Sequence, residues 1–246
     1  MELNKVLELR VGYIISIIGS GGKTTLMYLL AKELKNENKV LVTTTTKIYK
    51  PKKDEVDFLA LGNESFNKFK NSCLKGIYAY GTFINDDNKL VGVKPEDLEG
   101  KFKYFDYSII EADGSKRKSI KGWNPNEPIV CNKTNKTIGI ISIDILGKEI
   151  NECNVHRLKE FNKITNTKPG EEVNEENILS VIFNKDGLFK RAKGEKILFI
   201  NKIDSYKEYK DSLFLLKSIK ESNEKNNIID KIIFGSLKNM KFEILK

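Results

Sequence analysis

Residues 14–34, IISIIGSGGKTTLMYLLAKEL, limit the fold more tightly than any other part of the chain. Residues 13–18 form a β-branched apolar run bounded by glycine, the pattern of a buried strand. Residues 23–35 then space Leu26, Leu29, Leu30 and Leu34 along one helical face. Strand, glycine turn and helix open a parallel sheet, whose strands must be joined by crossovers. Strands are also expected at 39–46, at 107–111 before Gly114, at 137–145, at 196–200 and near Ile232, with helices at 156–163, 175–183 and 206–219. Residues 77–84 and 89–93, around Asn85-Asp86-Asp87-Asn88, read as a hairpin on one sheet edge.

The expectation is an α/β, P-loop NTPase-like fold: a mostly parallel, doubly wound sheet with helices on both faces and a hairpin insertion. It takes residues 1–246 as a single nucleotide-binding domain with a hairpin appendage near 75–100, and ligands at the carboxyl edge of the sheet. A content of 39% hydrophobic and 31% charged residues excludes a disordered chain. The apolar run at 11–18 is too short to cross a bilayer, and no small-residue cleavage site follows a basic start, so a cytoplasmic protein without a membrane anchor is expected. Cys73, Cys131 and Cys153 lie far apart without C-x-x-C pairing and read as ordinary thiols. The net charge of +9 suits an anionic partner, but the lysines are scattered and no aromatic-interleaved basic stripe argues for nucleic acid.

Lys23 follows Gly22 and precedes Thr24 and Thr25, the order in which a P-loop offers an ammonium to the β/γ-phosphates and a hydroxyl to Mg²⁺. Successive N–H groups at a helix N-terminus, where the macrodipole favours an anion, complete such a cradle. Gly19, Ser20, Gly21, Gly22, Lys23, Thr24 and Thr25 are its expected members. The full motif G-x-x-x-x-G-K-[ST] would need glycine at Ile17. The shortened G-S-G-G-K-T-T resembles the G-T-x-G-K-T-T loop of the ATP-binding Mur ligases, and the signature lysine of MinD-type ATPases would fall on Ile18.

Glu111 and Asp113, at the end of an expected neighbouring strand, are candidates to hold Mg²⁺ and to orient water, with the division between them open. Lys23, Glu111 and Asp113 make the expected catalytic set; Thr24, Thr45 and Asp113 the expected metal ligands. Thr45 enters through the run 43–47, TTTTK, at the end of strand two, although threonine also simply favours strands. Asn201, Lys202 and Asp204 follow the N-K-x-D order of GTPases. An aspartate there accepts from guanine N1–H and N2–H₂, a donor pair that adenine lacks. Ser236, Leu237 and Lys238 resemble the S-A-K segment that backs the guanine, so GTP is favoured over ATP. Asn201 and Asp204 can equally cap the next helix.

With GSGGKTTLM, TTTTKI, EADGSKRKSIKGWNPNEP, VHR at 155–157 and NKID in place, the chain resembles the YqeC family, accessory proteins of selenium-dependent molybdenum hydroxylases. The family pattern maps onto Glu111, Ala112, Asp113, Gly114, Lys121, Glu127 and Pro128, with Trp123 inside it. The resemblance implies an NTP-dependent factor for a molybdenum hydroxylase or its molybdopterin-type cofactor. Lys116, Arg117, Lys118 and Lys121 can then stabilise phosphoryl charge or bind a second anion, and His156 and Arg157 can carry a proton or contact phosphate. Solvated loop charges and a structural histidine are the competing readings. The site also leaves open a small-molecule kinase or nucleotidyltransferase, and a non-catalytic module that changes partners with nucleotide state.

Overall fold

A computed structural model describes residues 2–245. Nine strands make one sheet: β1 (Ile14–Gly19), β2 (Lys39–Thr44), β3 (Phe58–Leu61), β4 (Gly76–Gly81), β5 (Tyr107–Glu111), β6 (Lys136–Ser142), β7 (Glu195–Asn201), β8 (Lys231–Ser236) and β9 (Lys241–Ile244). Their order is β9-β8-β7-β6-β1-β5-β2-β4-β3, and every pair is parallel except β8–β9. β1 therefore lies at the centre, between β6 and β5, which buries it on both faces and explains its unbroken apolar run.

The five longer helices are α1 (Lys23–Leu34), α2 (Gly62–Asn71), α3 (Leu158–Thr165), α4 (Glu175–Phe183) and α5 (Tyr206–Asn226). Helices cover both faces. Along β7, Ile197 and Phe199 join the cluster beneath α1, while Leu198 and Ile200 join the cluster beneath α3, α4 and α5, the period-two alternation of a strand. Leu26, Leu30 and Leu34 of α1 are buried as their spacing predicts, each stabilising by about 1.5–3 kcal/mol. A third cluster sets Phe66 and Phe69 of α2 against Tyr78, Tyr80, Phe102 and Phe105.

Four expectations are revised. Of residues 77–84, expected as half a hairpin, 77–81 lie in the interior strand β4, paired in parallel with β2 and β3. The chain does turn back beyond it, with Ile84 bridging Leu90, but Lys89–Val91 pairs with Lys47–Tyr49 instead of with β4. The helix expected at 156–163 begins at Leu158, because His156 belongs to a short strand, Val155–His156, paired with Ile120–Lys121. Strand β6 ends at Ser142 and a 3₁₀ turn follows. Strands β3 and β9 and helix α2 were not expected: each strand has four residues, and α2 offers only Phe66 and Phe69 as buried apolar positions among polar ones.

Candidate functional site

Parallel pairing brings the carboxyl ends of β1, β5, β6 and β7 to one edge: Ile17 lies opposite Glu111, Gly19 opposite Ile140 and Asn201 opposite Ser142. The glycine loop between β1 and α1 is tied down from three sides. Gly19 N donates to Asp113 Oδ2 (3.0 Å), Ser20 N to the Ile140 carbonyl (2.9 Å), and Asn201 Nδ2 to the Gly21 carbonyl (2.8 Å). The glycines answer to this packing. Gly21 has φ +87°, and a Cβ there would lie 2.3 Å from Ser142 Oγ; at Gly22, φ +142°, it would lie 2.5 Å from Asn201 Nδ2.

With the loop pinned in this way, the main-chain N–H groups of Gly21 to Thr25 have no acceptor among the described residues. Leu26 N is the first to return to the helix, donating to Gly22 O. Beside this row sits the Lys23 amine, which donates to Gly19 O (2.7 Å) and Ser115 Oγ (3.1 Å) and lies 3.4 Å from Asp113 and 3.7 Å from Glu111. The Thr24 hydroxyl donates to Glu111 Oε2 at 2.6 Å. Of the two candidate carboxylates, whose division of roles the sequence leaves open, the one paired with the Thr24 hydroxyl is Glu111.

The two carboxyls differ in environment. Burial raises the pKa of Glu111, with Lys23 and Thr24 only partly offsetting it. Burial also acts to raise that of Asp113, but Lys121, Lys23, the Gly19 amide and Trp123 together hold it below the ordinary value. Its Oδ2 accepts from Lys121 Nζ (3.2 Å), Trp123 Nε1 (2.9 Å) and Gly19 N, while Oδ1 is buried without a hydrogen-bond donor. Lys121, fully buried, also donates to Gly114 O (2.7 Å) and Glu127 Oε2 (3.1 Å), and Arg157 grips Glu127 with two bonds of 2.9 and 2.6 Å.

A chain of charge therefore runs Lys23–Asp113–Lys121–Glu127–Arg157, buried as far as Glu127 and ending on the partly exposed Arg157. Lys121 is fully buried inside it, with Asp113, Gly114 O and Glu127 as its partners. Trp123 had no expected role and no sequence signal beyond its place in the 111–128 stretch. Two of the other loop cations are also engaged: Arg117 lies 4.1 Å over the Tyr49 ring, and Lys118 donates to the Glu152 and Val155 carbonyls. Thr45 donates to Ile129 O (2.8 Å), keeping oxygen lone pairs.

At the expected base site, Asn201 links the two loops, since its Oδ1 accepts from Leu237 N (3.1 Å) while its amide holds Gly21. Ser236 Oγ donates to Asp204 Oδ1, and Lys202 turns to Asp144 (2.8 Å). Among the described residues no group of three or more His, Cys, Asp and Glu side chains is placed to hold a metal, and no helix is long and apolar enough to cross a membrane.

His156 sits beside this network. Desolvation, with Lys121 and Arg157 adding repulsion against the pull of Glu127, lowers its pKa to about 4 from 6.5. A depressed histidine pKa means that the unfolded chain takes up the proton first. Stability from this group is complete above about pH 6.5 and is lost as pH falls toward about 4. Between pH 7 and pH 5 the wild type is expected to lose about 1 kcal/mol more than His156→Asn, after allowance for solvent screening, in paired urea titrations; equal losses would refute this.

The nine-stranded sheet and its carboxyl-edge loop define an α/β protein of mostly parallel topology. The chain belongs to the YqeC family: the model described as YqeC protein matches residues 15–159, which hold the glycine loop, Glu111, Asp113, Lys121, Glu127 and Arg157. It is 27% identical over 199 residues to the uncharacterized protein YqeC of Escherichia coli (strain K12), covering 77% of this chain and 75% of that one. No solved structure matches.

Proposed function

We propose that the chain binds a nucleoside triphosphate with Mg²⁺ at the glycine loop, GTP in preference to ATP, and hydrolyses it slowly as an accessory factor for a selenium-dependent molybdenum hydroxylase or its molybdopterin-type cofactor. One observation carries the nucleotide reading: a run of unpartnered N–H groups from Gly21 to Thr25 beside a buried lysine amine at a helix N-terminus. The accessory role follows the family resemblance.

The donor set fits the metal. Mg²⁺ takes one or two protein oxygens and completes its shell with phosphate and water, and Thr24 Oγ1 with the Glu111 carboxylate offers that pair. Bound Mg²⁺ withdraws charge from the phosphate oxygens and lowers the cost of phosphoryl transfer. Lys23 exchanges its contacts to Gly19 O and Ser115 for a phosphate oxygen. Asp113 Oδ1, 3.4 Å from the Lys23 amine and without a donor, is the acceptor available to orient a water. Asp204, steadied by Ser236, receives the guanine N1–H and N2–H₂ on its two carboxylate oxygens, Oδ1 keeping a free lone pair beside the Ser236 hydroxyl.

Calorimetric titration with GTP, GDP, ATP and ADP in Mg²⁺ tests this reading. Tighter binding of GTP than of ATP is expected, and Asp204→Asn is expected to shrink that preference by about 10–100-fold, the value of a hydrogen-bond pair to a charged group. A preference that Asp204→Asn leaves unaltered removes the guanine assignment; absence of any nucleotide binding removes the whole proposal. One observation favours a transferase instead: a cavity of about 210 Å³ adjoins Thr24 and Thr25, with the Tyr28 hydroxyl buried and unpartnered in its wall. A modified acceptor formed without free phosphate would select that reading.

A further inference from the structure

A larger cavity, about 350 Å³, opens at the amino edge of the sheet, across the molecule from the glycine loop, between the start of β2, the end of α2 and the turn before β5. Its wall carries Lys39, Lys70, Lys75 and Lys103 against a single carboxylate, Asp106, which pairs with Lys75 at 3.5 Å. Lys39 is buried to 8% exposure beneath this space. Its amine donates to the Phe69 and Ser72 carbonyls and lies 5.2 and 5.1 Å from the Tyr78 and Phe105 rings. Lys70 and Lys103 flank the Tyr104 ring at 5.6 and 5.3 Å, and neither pairs with a carboxylate among the described residues.

The dipole of α2 accounts for Lys39 and Lys70 at its carboxyl end. It does not account for Lys103 on the same hollow, where the one carboxylate, Asp106, is already paired with Lys75 and the remaining like charges repel unless a further anion joins them. Lysines act as point charges without the planar fork of arginine, which suits a tetrahedral phosphate group approached from several sides. We propose that this cavity is a second anion site, separate from the glycine loop, for a small soluble molecule carrying phosphate.

Cys73 lines the cavity and is exposed; Cys153 is exposed elsewhere and Cys131 is buried, so one thiol reports and another controls. The folded full chain is alkylated with iodoacetamide in Mg²⁺-free buffer, with and without inorganic pyrophosphate, and each cysteine peptide is followed by mass spectrometry. At about ten times the dissociation constant, pyrophosphate is expected to slow Cys73 about tenfold while leaving Cys153 unchanged. Lys70→Ala with Lys103→Ala is expected to abolish the protection; should that variant fold poorly, Lys75→Gln, at a side chain 53% exposed, must weaken it. Pyrophosphate held at the glycine loop does not register at Cys73, so this result is independent of the nucleotide reading. No slowing of Cys73, equal slowing of both thiols, or protection that survives the substitutions would overturn the proposal.

Discussion

Lys23→Ala is expected to lower Mg²⁺-dependent GTP turnover by about 10²–10³-fold, the usual loss when one preorganised donor is removed from a transition-state oxyanion. The amine occupies 3% exposed space between Gly19 O, Ser115, Glu111 and Asp113, so no solvent cation can replace it at the same position. Positioning and charge neutralisation supply most of the catalysis in phosphoryl transfer, and Lys23 contributes to both. The loss is expected mainly in kcat, because the amides of Gly21 to Thr25 still bind the phosphates of the ground state. The variant keeps Asp113 paired with Lys121, Trp123 and Gly19 N, so its melting curve separates lost chemistry from lost fold. Equal rates in wild type and Lys23→Ala, unaffected by chelating Mg²⁺, would remove hydrolysis from the account.

The second large effect is on stability. Lys121→Ala strips the cation from between two carboxylates, of which Asp113 is completely buried and Glu127 8% exposed. Breaking a buried charge network by deleting one partner costs about 3–5 kcal/mol, because the remaining charges keep their desolvation penalty. Glu127 retains Arg157, so the larger share falls on Asp113. Asp113 has a depressed folded-state pKa, so its contribution is present above the unfolded value and is lost as pH falls through the folded one. In Lys121→Ala burial dominates and that carboxyl titrates higher, so the deficit against wild type is expected to be full at pH 7 and to shrink in acid. An unfolding free energy within about 0.5 kcal/mol of wild type at pH 7, the range of an ordinary surface substitution, would contradict the network.

Where the local pattern was strong, the sequence was enough. β1 and α1 lie where apolar runs and leucine spacing put them, and α4 matches its expected bounds, because a buried central strand and an amphipathic helix are written in period alone. The sheet order was not legible beyond parallel pairing: β4 looked like a hairpin arm because tight turning at 84–90 is local, whereas its partners β2 and β3 are chosen by long-range packing. Order and type were also enough to put the glycine loop between β1 and α1 and Glu111 at the end of β5. The link from Asp113 to Lys121, Trp123 and Glu127 needed the fold, since only the pairing of Ile120–Lys121 with Val155–His156 carries Arg157 to Glu127. Cations 116–118 and 121 look alike in sequence; burial alone separates Lys121 from the rest.

The central claim is that main-chain amides at the start of α1 hold a polyphosphate. Backbone amide NMR of the ¹⁵N-labelled chain, titrated with Mg²⁺ and GTP, reads those atoms directly. The amide signals of Gly21, Gly22, Lys23, Thr24 and Thr25 are expected to move together and saturate at one dissociation constant, well ahead of any change at α3 or α4. Saturable nucleotide binding that leaves these five signals in place while shifting another part of the chain would contradict it.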